Sequence, residues 1–197
     1  MQHYSRKIIS LHAVLALLLF SSCMAQKNPG FDKSQVNRTH REVDRIRMKS
    51  EQYMVQRDYK NALDVYADAC RKYSDDQALF TNYNKTREDI HRAADEAYNR
   101  EDFASSGLAY YVLLKNYPYC PELFQEPSFD KVSLHTRLEH CNSSLSQRAL
   151  VEYRKGNLSE AISIWKSILA FDPNNTGIMK EIDTATIQLK YLQQKKE

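Results

Sequence analysis

The chain has 197 residues, which suffices for one domain or for one domain with a tail. It contains only 4 Gly and 5 Pro, too few for the many turns of an all-β fold, and its apolar residues recur at helical spacing. The composition therefore predicts an all-α protein. The formal net charge is +3, and without Arg6 and Lys7 of the first segment 26 basic and 25 acidic residues remain, a net charge of +1. Such a near-neutral chain offers no electrostatic basis for binding nucleic acid.

The first residues have the pattern of an export signal. Arg6 and Lys7 precede an apolar run from Ile8 to Phe20, which is shorter than the roughly 20 apolar residues that a membrane span needs. The run ends in FSSC at 20–23, which resembles the lipobox of bacterial lipoproteins, with Phe20 where that family prefers Leu. The resemblance implies a signal peptide over 1–22 and a lipid anchor on Cys23.

The same segment leaves other locations open. By its resemblance to lipoproteins, Met24 after the lipidated cysteine implies an outer-membrane lipoprotein that faces the periplasm. The small-x-small pattern Cys23-Met24-Ala25 is also consistent with cleavage after Ala25 and a soluble periplasmic protein. A cytosolic protein with an apolar start is a third interpretation. Residues 23–33, which are polar from Gln26 onward, are interpreted as a tether before a helical domain over 34–197.

Helical patterns follow in the chain. Residues 34–56 predict one helix, and residues 77–99 keep a single apolar helical face, with Asp75 or Asp76 as the N-cap. The segment after Pro118 contains Pro121 and Pro127, which predict a loop followed by a short helix over about 129–140.

Cysteines flank that segment. A disulfide between Cys120 and Cys141 would close a loop of about 20 residues and stabilise the fold by about 3 kcal/mol in an oxidising periplasm. The alternative is that both thiols are reduced and packed. Cys70 is predicted to be a small core residue.

The sequence predicts no metal site, no catalytic residues and no cofactor. His135, His140 and Cys141 are close in sequence, but positions five apart on a helix lie about 140° apart, and no zinc or phosphate-binding motif occurs. Acidic pairs such as Glu181 and Asp183 are interpreted as solvated helix faces.

The most informative pattern lies near the C-terminus. Around Ala161 there is a small residue twelve positions before (Ala149), Gly156 five before, Trp165 four after and Pro173 twelve after. Gly156 permits the left-handed backbone that ends a first helix, Ala161 lets two helices cross closely, and Pro173 ends the second helix. The pattern resembles the tetratricopeptide repeat, a helix–turn–helix unit of about 34 residues.

The same frame recurs upstream and predicts repeats near 43–76, 87–120 and 142–175. Its small, bulky and turn positions are taken by Ala62, Tyr66 and Arg57 in the first repeat and by Ser106, Tyr110 and Glu101 in the second. A capping helix is predicted over 176–195. The resemblance implies an all-α solenoid of about three repeats with extra helices.

In that family the first helices of successive repeats line a groove, which implies a protein or peptide ligand. Mapped through the frame, the groove residues are Arg47, Glu51, Met54, His91, Asp95, Tyr98, Leu150, Tyr153 and Arg154. Glu51 argues against a clamp for a C-terminal carboxylate, so an extended peptide or a partner helix is favoured. The alternative is that this face is merely solvated and binding occurs elsewhere.

The expected function is a non-catalytic scaffold or adaptor, anchored in the bacterial envelope, that assists assembly of an outer-membrane or secretion complex. The alternatives are a soluble periplasmic peptide-binding module and an accessory subunit of an enzyme complex.

Overall fold

The computed structural model describes residues 33–73, 76–116 and 127–195, with side chains from His40 onward. Within these ranges all regular structure is α-helical. The helices are α1 Lys33–Val55, α2 Tyr59–Lys72, α3 Gln77–Asn99, α4 Phe103–Lys115, α5 Lys131–Arg154, α6 Leu158–Leu169 and α7 Thr176–Gln194. Backbone contacts separate Met1–Asn37 from Arg38–Glu197, and the buried core lies in the second unit. The predicted all-α class is confirmed.

Short polar side chains start most of these helices. An Asp or Asn at the N-cap accepts a hydrogen bond from the backbone N–H three residues later, at 2.8–3.2 Å. Such a cap contributes about 1 kcal/mol. The capping residues are Asp58, Asp76, Asp102, Asp130 and Asn175. Asp76 is one of the two caps that the sequence predicts for α3.

Three helix pairs, α1–α2, α3–α4 and α5–α6, share one turn. Each turn has a residue in the left-handed region, with φ 57° at Arg57, 59° at Glu101 and 81° at Gly156. In each, the N–H of the next residue donates to a carbonyl five residues earlier at 2.9 Å, which satisfies an orphan carbonyl of the first helix. The three predicted turn positions are therefore confirmed.

The small and bulky positions of the predicted frame lie in the core. Ala62, Ser106 and Ala161 are fully buried, and so are Tyr66, Tyr110 and Trp165 four residues later. The positions twelve residues before the small ones (Ser50, Ala94 and Ala149) are also fully buried. Ser50 Oγ donates to the Ala62 carbonyl at 2.9 Å, so a polar side chain is accommodated where α1 meets α2.

Helix α5 differs from the prediction. The short helix expected over 129–140 and the first helix expected from 142 are one continuous helix, Lys131–Arg154. The reason is visible in the sequence, because no Gly or Pro lies between Asp130 and Gly156 to interrupt it. The first helix of each pair is thus long, at 23, 23 and 24 residues, and the second is short, at 14, 13 and 12.

From α2 onward, each helix packs on the next along the chain, and α4 also contacts α2 and α6. Helix α7, predicted as the cap over 176–195, packs on α6 through a face that includes Ile178 and Ala185. A Cβ placed on Gly107 of α4 would lie 2.8 Å from Cε1 of the buried Phe171 ring. None of the described helices combines the length and the apolar character that crossing a membrane requires.

Candidate functional site

Residues from three helices meet around Asp95. We call the Asp95 cluster the set His91, Asp95 and Tyr98 of α3, Tyr110 of α4, and Arg137 and His140 of α5. Tyr110 Oη donates to Asp95 Oδ1 at 2.5 Å. Arg137 Nη1 lies 3.7 Å from the same oxygen, and His91 Nε2 lies 3.9 Å from Asp95 Oδ2. One carboxylate therefore connects α3 to both α4 and α5.

Aromatic contacts continue the Asp95 cluster along α3. The Tyr98 ring lies 5.3 Å from the His140 ring and 5.6 Å from the Phe103 ring, centroid to centroid. Arg137 Cζ lies 4.8 Å from the Tyr98 centroid, in cation–π range, and the His91 ring stacks on Phe129 at 4.4 Å. The three groove residues predicted in the second repeat are thus brought together, and their contacts join α3 to α5.

Burial raises the pKa of two groups at the Asp95 cluster, the phenol of Tyr110 and the thiol of the neighbouring Cys141. Burial, and then the hydrogen bond and negative charge of Asp95, raise the pKa of the Tyr110 phenol well above 10. Burial likewise raises the pKa of the nearby Cys141 thiol, whose Sγ lies 3.2 Å from Ser106 Oγ. At neutral pH both groups are therefore uncharged, and Cys141 is not poised as a thiolate nucleophile.

The groove residues predicted in the first repeat contact neighbouring residues of this protein. Arg47 pairs with Glu51 at 2.8 Å and approaches Asp44 at 3.8 Å, all on the same helix. Met54 is partly buried and packs against the core. The guanidinium of Arg47 is therefore already satisfied by carboxylates of its own helix.

The groove residues predicted in the third repeat divide between core and surface. The Tyr153 ring lies 5.8 Å from the Trp165 ring and is partly buried. Leu150 is 37% exposed and Arg154 is exposed. Of these three residues, Leu150 and Arg154 are therefore the accessible ones.

A cleft of about 690 Å³ lies where α5 and α6 meet the start of α4. We call it the Phe103 cleft. Its apolar lining consists of Phe103, Leu145, Val151 and Ile164, and its charged lining of Glu101, Arg148, Glu152 and Glu160. Three carboxylates against one guanidinium give the lining a formal charge of −2, and Lys155, whose Nζ lies 2.7 Å from Glu152, reduces it to −1.

The ion pairs of the Phe103 cleft fix its edges. Arg148 Nη2 lies 2.7 Å from Glu101 Oε2, and its Nη1 donates to the Glu101 carbonyl at 3.1 Å. Arg148 Cζ also lies 4.9 Å from the Phe103 centroid. Hydrogen bonds from Asn157 and Lys155 lower the pKa of Glu152, so this carboxylate stays ionised.

Sequence reasoning missed the Phe103 cleft. Its residues come from the turn of one predicted repeat and from the first and second helices of the next, so no single repeat contains the pattern. The repeat pattern predicts Glu101 only as a turn residue and not as part of a cleft. The available signal was Val151, an apolar residue two positions after the small core residue Ala149 and therefore about 200° around the helix from it.

A second cleft, of about 490 Å³, lies between α2 and α4. Its lining carries three basic and two acidic side chains, a formal charge of +1, and Lys60 pairs with Asp64 and Arg71 with Asp68, each at 2.5 Å. Its charge therefore has the opposite sign to that of the Phe103 cleft.

Some predicted features lie outside the described residues. They are the signal peptide over 1–22, the lipidation site Cys23, all of the tether over 23–33 except Lys33, and Cys120. The disulfide between Cys120 and Cys141 therefore stays a prediction. Among the described residues, no three His, Cys, Asp or Glu side chains are grouped so as to hold a metal ion.

Comparison of the chain with protein-family models, with curated proteins and with solved structures found no match.

Proposed function

We propose that this protein is a non-catalytic interaction scaffold of the tetratricopeptide-like kind. The supporting observation is the triple occurrence of one turn geometry at Arg57, Glu101 and Gly156, with a buried small residue five positions later each time. Such helix pairs stack into a scaffold that presents side chains for binding other proteins.

The ligand of this scaffold is a peptide or a partner helix with an apolar side chain next to basic ones. The Phe103 cleft supports this proposal through its apolar lining and its net charge of −1 once Lys155 is included. An apolar anchor supplies the affinity, and a cationic neighbour supplies orientation and specificity. The Asp95 cluster holds α3 and α5 together beside the cleft.

A peptide library tests this ligand class. A random decapeptide library is selected on the immobilised protein, and we expect enrichment of peptides that combine Leu, Ile or Phe with Lys or Arg. Binding of the enriched peptides should be lost in Glu160→Lys and in Val151→Asp, which alter the lining of the cleft. Val132→Asp is the matched control, because Val132 is 75% exposed on the same helix and is not in the cleft lining. Equal loss in the control, or enrichment of acidic peptides, would contradict the proposal.

The scaffold is proposed to act in the bacterial envelope, anchored at the outer membrane through Cys23 and assisting the assembly of an outer-membrane or secretion complex. What supports the anchor is the lipobox-like FSSC after a short apolar run. Metabolic labelling with a palmitate analogue should mark the wild-type chain and not Cys23→Ala. Unchanged labelling of the variant would remove the anchor from the proposal.

A soluble periplasmic binding module is the second candidate. The sequence Cys23-Met24-Ala25 supports it, because small residues at this spacing precede a non-lipoprotein cleavage site. Mass spectrometry of the mature N-terminus distinguishes the two. A chain that begins at Gln26 favours the soluble form, and a chain that begins at an acylated Cys23 favours the anchored one.

A further inference from the structure

One face of α7 remains exposed. Ile187 is 69% exposed and Tyr191 is 59% exposed, and they lie one helical turn apart. Ala185, which is fully buried, and Ile178 lie on the opposite side of the helix, where α7 packs on α6. Two large apolar side chains thus point away from the core of the protein.

The exposed face follows a heptad-like spacing. Steps of three and four residues connect Lys180, Asp183, Ile187, Lys190 and Gln194, and all five side chains are exposed. Tyr191 lies beside Lys190 on the same face. Residues at this spacing lie in one stripe along a helix, and Ile187 is the apolar residue at the centre of this stripe.

The charges on this face distinguish the two ways in which α7 could pair with a copy of itself. In a parallel pair each residue faces its own copy, so Lys180, Asp183 and Lys190 would each meet a like charge. In an antiparallel pair centred on Ile187, Asp183 lies level with Tyr191 of the second copy and within one residue, about 1.5 Å along the axis, of the level of Lys190, so an Asp183–Lys190 contact can form twice by symmetry. Lys180 then faces the uncharged Gln194. Opposite charges at such positions select partner and orientation in helix pairs.

We propose that the exposed face of α7 binds α7 of a second copy of this chain as an antiparallel, two-fold symmetric helix pair with Ile187 on the axis. Tyr191 of each copy covers the Ile187 contact from one side. The 19 residues of α7 are about 28 Å long, so the contact is narrow and the dimer depends on protein concentration. The pairing does not involve the Phe103 cleft and is independent of the proposed ligand.

Cysteine crosslinking of the purified full chain tests the geometry. Ile187→Cys should form a disulfide-linked dimer under mild oxidation, because the two residues meet at the axis. Asp183→Cys alone should not, since its two copies lie about 12 Å apart along the helix pair. Co-expressed chains carrying Asp183→Cys and Lys190→Cys should crosslink with each other. Wild type controls for the natural cysteines, and Gln188→Cys, on a flank of α7, controls for random collision.

A charge exchange provides the second readout. Asp183→Lys and Lys190→Asp should each reduce the crosslinked dimer formed by Ile187→Cys, and the two together should restore it, because the exchange recreates both opposite-charge contacts. Sedimentation of the purified full chain should show a concentration-dependent dimer that Ile187→Lys abolishes and Val132→Lys does not. A monomer at all concentrations, crosslinking no stronger than that of Gln188→Cys, or self-crosslinking of Asp183→Cys would overturn the proposal.

Discussion

The helix pairs α3–α4 and α5–α6 form the same turn with different residues. In α5–α6 the left-handed position is Gly156, and no atom lies within 4 Å of where its Cβ would be. In α3–α4 it is Glu101, whose side chain makes the left-handed backbone conformation unfavourable. Arg148 of α5 donates hydrogen bonds to both the backbone carbonyl and the carboxylate of Glu101. The Gly156 turn is thus stable because of its own residue, whereas the Glu101 turn is stabilised by a contact from the next helix pair.

The bulky position of the predicted frame also differs between the two pairs. Trp165 fills it in α5–α6 with a large apolar surface, and Tyr110 fills it in α3–α4 with a hydroxyl that must reach Asp95. The third pair is therefore stabilised here by apolar packing, while the second depends on a hydrogen bond between its own two helices and on the contact of Arg148 with its turn.

The largest expected effect comes from removing the apolar packing of the α5–α6 pair. Trp165→Ala should lower the free energy of unfolding by about 3–5 kcal/mol, because it leaves a cavity in a fully buried site. Urea unfolding followed by far-UV circular dichroism measures the loss, since Trp165 is the only tryptophan and its fluorescence disappears with it. Ser163→Ala, at an exposed position of the same helix, should leave the midpoint unchanged.

The polar dependence of the α3–α4 pair should appear at high pH. The pKa of Tyr110 is raised in the folded state, so above pH 10 the unfolded chain loses this proton while the folded chain keeps it. The unfolded state then binds fewer protons, and the free energy of unfolding falls by at most about 1.4 kcal/mol per pH unit. Below pH 10 this contribution to stability is fully present.

Tyr110→Phe isolates that contribution. The variant should be less stable than wild type by about 1 kcal/mol at neutral pH, because the hydrogen bond to Asp95 is lost. Urea midpoints measured from pH 7 to pH 11 should show a shallower alkaline decline in the variant than in wild type. Parallel declines would mean that other tyrosines of raised pKa, such as Tyr66, account for the effect.

An effect smaller than that of Trp165→Ala is expected at the glycine turn. Gly156→Ala should destabilise the protein by about 1–2 kcal/mol, because φ is 81° and the added Cβ strains the backbone although nothing occupies its place. The matched control is Gly177→Ala in the first turn of α7, which should be neutral or stabilise by up to about 1 kcal/mol. Thermal unfolding measures the stability of both variants, and equal melting temperatures for the two would contradict the explanation.

The smallest effect is expected at the contact that supports the Glu101 turn. Arg148→Ala should cost about 0.5–1 kcal/mol, since the pair is largely exposed. In a double-mutant cycle, Glu101→Gly should remove most of this cost, because glycine adopts the left-handed backbone without help. Additive effects of the two substitutions would show that Arg148 does not support the turn.

Much of the fold could be predicted because its signals are local. Left-handed turns at Arg57, Glu101 and Gly156, caps such as Asp76, and the buried series of small and bulky residues follow from spacing along one helix pair. The prediction is wrong for α5, because the third repeat is predicted to begin at 142, inside a stretch without any residue that ends a helix. Gly107 was also missed, since its partner Phe171 is 64 residues away in the chain.

The amino-acid sequence by itself determined the helices, their caps and turns, and which side chains face the core, because these depend on contacts between residues a few positions apart. Only the tertiary structure decided that His91, Asp95 and Tyr98 connect α3 to α5, and that Glu101, Arg148 and Ile164 line one cleft. Such groupings depend on how neighbouring helix pairs are placed against one another, and side chains far apart in the chain contribute to them with no common spacing.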